Sequence, residues 1–384
     1  MNSPEVKFME FVKFGIIGCG GAASIHIAAS RNNPKLKFIA AYDVEETKAQ
    51  KFAKKNNITA YTSLDALLQS EIDAVHIVLP YYLHAPTVIA AAKAGKNVLC
   101  EKPMANALED CDAMIAATKK AGVKFMIAEN HRFLPAHTYI KDAVSRGLIG
   151  DVFFGRAYEG AFDNPDKIRD PTHWMFSFAK GGGGALHDQG SHKFAMLNWM
   201  LGEVESAQCW CYKALNSPPN KADDTAMVHL RFKNGAMVEV SVSTATIHPP
   251  TNRLELHGTK GTILEDHAWE KPVQIYSNHE KAEKPGEFYS PELEHGPFPK
   301  YYTISFRIED TYFADCILNN KIPEFKPEEA KEAVAVVHLA YLAAKKGTTV
   351  KMDELKQLIK TKGTKSLFEG LENAIQKSYE HLKW

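Results

Sequence analysis

From Lys13 to Ala128 short apolar runs alternate with stretches of helical period. Lys13 to Ile17, Phe38 to Tyr42, Ala74 to Leu79, Asn97 to Cys100 and Lys124 to Ala128 are almost continuously apolar, as strands are when helices cover both faces of a sheet, and they predict five parallel strands. The intervening helices carry their own boundaries. Pro86 suits a first helical turn, where its missing N–H loses no partner, and Gly95 suits a left-handed stop after Val88-Ile89-Ala90-Ala91-Ala92. Asn106 and Glu109 have capping-box spacing ahead of a helix with Cys111, Met114, Ile115 and Thr118 near one face and Gly122 at its end. Strand and helix in strict alternation give βαβ crossovers, and so a doubly wound parallel sheet over residues 1–130.

After residue 130 the period changes to two. Val152 to Tyr158, Val204 to Tyr212, Thr225 to Phe232, Ala236 to Val242 and Asn252 to His257 alternate apolar with polar, which predicts a large, open, mostly antiparallel sheet with one face against solvent or a partner. Helices are expected at His192 to Leu201, Thr303 to Leu318 and Pro327 to Lys346, a surface loop at 276–302, and an amphipathic helical tail after 353. The chain thus reads as α/β, with a second α/β domain over 131–384.

Composition excludes several classes of function. Lysine plus arginine and aspartate plus glutamate each total 46, so no net positive field gathers nucleic acid or an anionic membrane. No apolar stretch is long enough to span a bilayer, and Met1 to Lys13 is too charged for a signal peptide. Six cysteines, Cys19, Cys100, Cys111, Cys209, Cys211 and Cys316, lack paired zinc spacings, which predicts reduced thiols in a cytoplasmic protein.

Chemistry first shows after the first strand, in Gly18-Cys19-Gly20-Gly21-Ala22-Ala23, a GxGxxA form of the dinucleotide turn. Gly18 permits the tight turn, Gly20 lets the backbone approach a pyrophosphate, Ala23 allows close helix packing, and the helix N–H groups at Gly21 and Ala22 face the anion. Asp43 ends the second strand about 20 residues on, where a carboxylate meets ribose hydroxyls and repels a 2′-phosphate, so NAD is expected ahead of NADP.

Ligands of such sheets lie beyond the carboxyl ends of the strands, and those ends are polar here. The third predicted strand runs into Pro80-Tyr81-Tyr82-Leu83-His84 and the fourth into Glu101-Lys102-Pro103, where Pro103 keeps Lys102 out of helical geometry. Later, Gly181 to Gly184 precede Ala185-Leu186-His187-Asp188-Gln189-Gly190-Ser191-His192; on a helix Asp188 and His192 share a face, where a carboxylate can orient an imidazolium. His187, Asp188 and His192 lack any accompanying metal motif, so no metal is expected there.

Together, Glu101-Lys102-Pro103 and GGG-x-L-x-D-x-G-x-H at Gly182 to His192 resemble the glucose-fructose oxidoreductase, inositol dehydrogenase and rhizopine-catabolism (Gfo/Idh/MocA) family; Asn130 to Pro135 and Gly147 to Val152 are similar to its domain junction. The resemblance covers the chain to about residue 346 and implies a Rossmann domain joined to a domain with a large open sheet. It implies NAD(P)-dependent hydride transfer from a ring hydroxyl of a sugar, inositol or related polyol, and pairing through the open sheet into a homodimer or homotetramer. Carried over by position, Lys102 matches the lysine at nicotinamide and substrate, while Asp188 and His192 match the substrate-binding acid and catalytic histidine. Pro80, His84, Glu101 and Trp174 join the candidate cofactor residues, and Arg132, Tyr158 and His173 the candidate substrate residues. His187 stands where many members have an apolar residue. Histidine, ordinarily near 6.5, suits a general base better than lysine near 10.4, so His192 is the expected base, with roughly these reference values. An NAD-dependent glycoside hydrolase using transient oxidation, and a non-catalytic sugar or NAD sensor, are the other readings of the same pattern.

Overall fold

The structure, a computed structural model, describes residues 10–161, 170, 173–214, 222–372 and 375. Its first sheet is parallel, in the order β3-β2-β1-β4-β5-β6, from β1 (Val12–Ile17), β2 (Leu36–Tyr42), β3 (Thr59–Tyr61), β4 (Ala74–Ile77), β5 (Asn97–Glu101) and β6 (Phe125–Ala128). Five of these are the predicted strands. The sixth, β3, is a three-residue edge strand beside β2, too short to show a period of its own. The strand order reverses between β1 and β4, which opens a crevice at their carboxyl ends.

Helices α1 (Gly21–Ala29), α2 (Glu46–Asn56), α3 (Leu64–Leu68), α4 (His84–Lys93) and α5 (Leu108–Ala121) connect the strands. Cys111, Met114 and Thr118 are buried on α5 as their spacing predicts, and Gly122 closes it at φ 68°. The expected capping box does not form. Asn106 donates to the Lys180 carbonyl oxygen at 2.7 Å and Glu109 accepts from the Thr364 N–H and hydroxyl at 2.8 and 2.6 Å, so tertiary partners have claimed both ends of the box.

The second half contains α6 (Pro135–Ser145), β7 (Val152–Gly160), the short α7 (Phe178–Gly181), α8 (Ala185–Leu201), β8 (Val204–Tyr212), β9 (Thr225–Phe232), β10 (Met237–Ser243), β11 (Thr251–Gly258), β12 (Gly261–Asp266), β13 (Val273–Ser277) and β14 (Phe288–Tyr289). After these come α9 (Thr303–Leu318), α10 (Pro327–Lys346), β15 (Val350–Lys351), α11 (Met352–Lys362) and α12 (Lys365–Phe368). Nine strands form one sheet, β14-β13-β12-β11-β7-β10-β9-β8-β15, in which only β7 and β10 run parallel. The segment expected as a loop at 276–302 includes the end of β13 and all of β14, which pairs with Ile275 and Tyr276. Residues 373–374 and 376–384 of the expected tail lie outside the described residues.

One face of this sheet packs under α8 and α10, and its opposite face carries Arg156, Trp210, His229, Arg231, Met237 and Arg253, all exposed. Cys209 and Cys211 point to the covered face with their sulfurs 3.6 Å apart, and all six cysteines are free and buried. The chain then doubles back. Helix α9 packs on β1 and β2 of the first sheet, where Phe313 meets Phe14 edge to face at 6.3 Å. Among the described residues no helix is long and apolar enough to cross a membrane.

Candidate active site

The glycine turn is shaped by what lies beside it. Gly18 has φ 96°, and a Cβ there would lie 2.1 Å from the Val78 carbonyl oxygen, so only glycine makes this turn. A Cβ on Gly20 or Gly21 would meet no atom within 4 Å, which leaves the backbone open to an approaching group. Helix α1 begins there with no side-chain cap and no acid in its first turn, so its N–H groups and dipole face that opening. Ala22 is half-buried behind it, and Ala23 packs fully into the core. Asp43 accepts from the Cys19 N–H at 2.9 Å and the Glu45 N–H at 3.0 Å, which fixes its carboxylate beside the turn, with Lys48 Nζ at 3.3 Å. These residues fit the pyrophosphate and ribose of a dinucleotide.

A second group assembles where the first sheet meets α8. Lys102 follows β5, and the peptide between it and Pro103 is cis. Its Nζ lies 2.7 Å from Asp188 Oδ1 and donates also to the Asp188 carbonyl oxygen at 3.1 Å. Tyr81, in the turn after Pro80, donates its hydroxyl to the same Oδ1 at 2.6 Å, and Trp174 meets the Tyr81 ring edge to face at 4.7 Å. Burial alone would depress the Lys102 ammonium, but the adjacent Asp188 carboxylate outweighs it and holds the lysine above its ordinary value. Burial likewise opposes the Asp188 charge, and Lys102 with Tyr81 overcomes it, so this carboxyl stays well below the usual range. The pair is therefore charged on both sides.

One turn along α8, His192 has a different carboxylate from the one its spacing suggests. Its Nδ1 lies 2.5 Å from Glu129 Oε1, at the end of β6, while Asp188 is committed to Lys102. The His131 ring stacks on His192 at 4.0 Å and 13°, and burial followed by the His192 charge pushes His131 well below its ordinary value. Glu159 of β7 is 3.7 Å from both His131 Nε2 and Lys193 Nζ, and burial raises its carboxyl. The neighbourhood thus offers a fixed cation, a carboxylate-bound imidazole, and two carboxyl groups, Asp188 and Glu159, pushed in opposite directions.

The glycine run makes this helix possible. A Cβ on Gly184 would lie 1.7 Å from the Asp223 carbonyl oxygen, and one on Gly183 would lie 2.0 Å from the Tyr341 hydroxyl. Asp223 accepts from the Leu186 N–H at 2.7 Å and the Gly184 N–H at 3.3 Å, capping α8 so that it starts at Ala185, ahead of the expected His192.

Comparison with known proteins decides the family. The oxidoreductase family model with NAD-binding Rossmann fold matches residues 12–129, and the Gfo/Idh/MocA C-terminal domain model matches residues 137–264. The chain belongs to the Gfo/Idh/MocA oxidoreductase family. It is 29% identical to myo-inositol 2-dehydrogenase of Thermotoga maritima over 90% of this chain and 99% of that protein. It is 29% identical to levoglucosan dehydrogenase of Pseudarthrobacter phenanthrenivorans over 72% of this chain and 79% of that one. A solved levoglucosan dehydrogenase in complex with NADH and L-sorbose has the same fold, with TM-score 0.80 at 24% identity over 90% of this chain and 99% of that chain.

For this Gfo/Idh/MocA protein, the structure gathers some of the residues expected at the site and sends others elsewhere. Lys102, Asp188, His192, Tyr81 and Trp174 converge, and His173 sits against Trp174, accepting from the Met175 N–H at 3.4 Å. Glu101 turns away, toward His26 at 2.8 Å, while its other oxygen accepts from the Lys102 N–H at 3.1 Å. His84 is fully buried with its two ring nitrogens against the Leu79 and Pro103 carbonyl oxygens, at 2.9 and 3.0 Å, so it braces the turns around Lys102. Arg132 pairs with Glu329 at 2.7 Å and lies over the rings of Trp199 and Phe325, a clamp between helices. Tyr158 faces the open side of its sheet, where its hydroxyl meets His248 at 2.8 Å; alternation along β7 turns its neighbour Glu159 toward His131 instead. Glu129 escaped the sequence reading although its position just past β6 is the strand-end signal that singled out Lys102.

Proposed function

We propose that this protein oxidises a ring hydroxyl of a cyclic polyol or sugar with NAD, with His192 as general base. The observation that carries this reading is the division of partners: Lys102 is held as a cation by Asp188, whereas His192 has Nδ1 occupied by Glu129 and keeps Nε2 for the substrate. Gly18, Gly20, Gly21 and Asp43 would hold the dinucleotide, which supplies the hydride acceptor when bound. The substrate hydroxyl proton passes to His192 Nε2, and Glu129 stabilises the imidazolium that results. Lys102 donates to the reacting oxygen and favours its developing negative charge; Asp188 keeps that ammonium charged and aimed. Relatives named for myo-inositol and for levoglucosan support a compact cyclic polyol or sugar as substrate class. The division of labour at residue 130 and a reducing, cytoplasmic setting belong to the same proposal, the latter supported by six free cysteines. Assembly through the bare face of the nine-stranded sheet completes it; light scattering at micromolar concentration tests for a dimer or tetramer.

The deciding experiment follows nicotinamide absorbance and product identity over a panel of inositols, sugars and glycosides with NAD and NADP. Net NADH with a ketone product is expected, with NAD preferred and the preference lost in Asp43→Ala. Aglycone release without net NADH would replace the dehydrogenase by the glycosidase reading. Single-turnover rates against pH for His192→Ala and Lys102→Met then test the roles; a His192→Ala enzyme with normal rate and unchanged acidic limb would move the base to Lys102.

A further inference from the structure

A second cluster lies behind His131, on residues too far apart in sequence to suggest one another. His137 is in the first turn of α6, Glu265 is on β12, and His267 follows β12 two positions later on the same side. All three side chains are sealed from solvent. His137 donates from Nδ1 to the His131 carbonyl oxygen at 2.7 Å, so in the neutral ring Nε2 is the nitrogen with the lone pair. That nitrogen faces Glu265 Oε1 at 2.8 Å, and His267 Nε2 reaches the same oxygen at 2.6 Å. Neither ion pair has hydrogen-bond geometry, and among the described residues both nitrogens and both carboxylate oxygens have no well-aligned hydrogen bond. Tyr301 closes the cluster, its ring stacked on His267 at 4.1 Å.

A buried carboxylate this poorly satisfied is costly, since a charge leaves water only when paired or hydrogen-bonded. Two imidazole nitrogens and a carboxylate oxygen that converge off the hydrogen-bond axis are a donor set that a metal ion assembles. Two donors each about 2.1 Å from one ion lie about 3 Å apart at right angles and about 3.4 Å apart in a tetrahedron, so the separations of 2.8 and 2.6 Å here would open by a few tenths of an ångström or more on loading. The His137 Nδ1–H bond to a backbone carbonyl is also the outer contact that metal-bound histidines use to fix their tautomer.

We infer that His137, Glu265 and His267 form a binding site for a divalent first-row transition ion of the zinc or iron(II) class, with two imidazoles and one carboxylate as ligands. The ion ties the end of β12 to the start of α6 and, through the His131 carbonyl, sets the ring that stacks on His192. Because no ligand reaches solvent, loading accompanies folding and the ion exchanges slowly. The site is independent of the dehydrogenase reading and survives its failure.

Elemental analysis of the native protein, produced in zinc- and iron-supplemented medium and passed into metal-free buffer, is expected to give about one equivalent of ion per chain. Production in minimal medium with Co²⁺ should give visible d–d bands. Glu265→Gln and His267→Gln should each lose the ion while NAD binding at the opposite sheet, followed by fluorescence, reports an intact fold. Native protein with neither bound ion nor cobalt bands would reduce the cluster to a hydrogen-bonded triad and overturn the inference. Variants that retain a full equivalent would do the same by placing the ion elsewhere. If both variants fail to fold, the native metal content and cobalt spectrum still decide.

Discussion

Behind Lys102 and behind His192 stand two buried histidine–carboxylate clusters, and they neutralise charge in different ways. In the first, His26 of α1 directs Nδ1 to Asp310 of α9 at 3.0 Å and Nε2 to Glu101 at 2.8 Å, while Ser30 donates to Asp310 at 2.7 Å. Burial would strip His26 of its proton, but Asp310 and Glu101 prevail and raise it to about 10, with Glu101 lowered to about 2. Every charge there has a donor aimed at it. In the second, Glu265 meets one nitrogen each of His137 and His267 off the hydrogen-bond axis; burial opposes its charge, but the two imidazoles hold the carboxyl well below the ordinary value. Glu309, beside Asp310, takes a third course: buried with both oxygens unpartnered among the described residues, its carboxyl is pushed by burial well above the ordinary value. Glu265 and Glu309 are alike buried, so the neighbouring side chains, not depth, decide which way each carboxyl is pushed.

The largest effect should come from breaking the directed cluster. Asp310→Leu leaves the His26 imidazolium with one carboxylate and Ser30 without its acceptor, and is expected to cost about 3–5 kcal/mol in urea unfolding. A cost below about 1 kcal/mol, the range of exposed pairs, would mean that the cluster is not ionised. Next in size, Glu129→Gln keeps the shape beside His192 but removes the charge. Single-turnover oxidation should fall by on the order of 10²-fold, about 2.7 kcal/mol, with NAD affinity unchanged. An unaltered rate would leave Glu129 a packing residue.

Smaller per pH unit, though comparable across its whole window, is the pH dependence of stability. His26 has a raised pKa in the fold, so its contribution is complete below the ordinary value of 6.5 and is lost as pH rises through about 10. Across that window the native state holds a proton that the unfolded chain has released, and stability should fall by about 1 kcal/mol per pH unit. Denaturant midpoints from pH 6.5 to 10 should therefore slope downward in the native protein and flatten in His26→Leu. The smallest effect is expected at Tyr158→Phe, on the open face of the second sheet, where kcat/KM should stay within about twofold. A loss beyond tenfold would bring that face, or a neighbouring copy across it, into the substrate site.

These tests separate what sequence pattern reveals from what it leaves hidden. Strands buried on both faces announce themselves as apolar runs, so β1, β2, β4, β5 and β6 were legible, while three-residue β3 was too short to be. Lys102, Asp188 and His192 stood out because two compact motifs carry them. Glu129 shares Lys102's strand-end position, yet nothing local tells which histidine it will meet on α8. Tyr158 and Glu159 differ by one step of a period-two pattern, and an aromatic hydroxyl drew attention to the wrong face. Asn106 and Glu109 failed as a cap because Lys180 and Thr364, far along the chain, claimed them instead. His137, Glu265 and His267 were invisible for the same reason, since only the fold brings them together.

The return of α9 to the first sheet bears on how the chain is made. A nascent chain that has emerged through residue 130 already contains all six strands of the parallel sheet, but the helix that covers β1 and β2 is not yet synthesised. At ordinary translation speed it arrives roughly 10–30 s later. During that interval Phe14 lacks its Phe313 neighbour, and His26 has Glu101 without Asp310. The half of the site that holds Lys102 is thus among the first parts translated and among the last to reach its final form, and chaperone occupancy or proteolysis of stalled chains should be greatest for products that stop before Thr303.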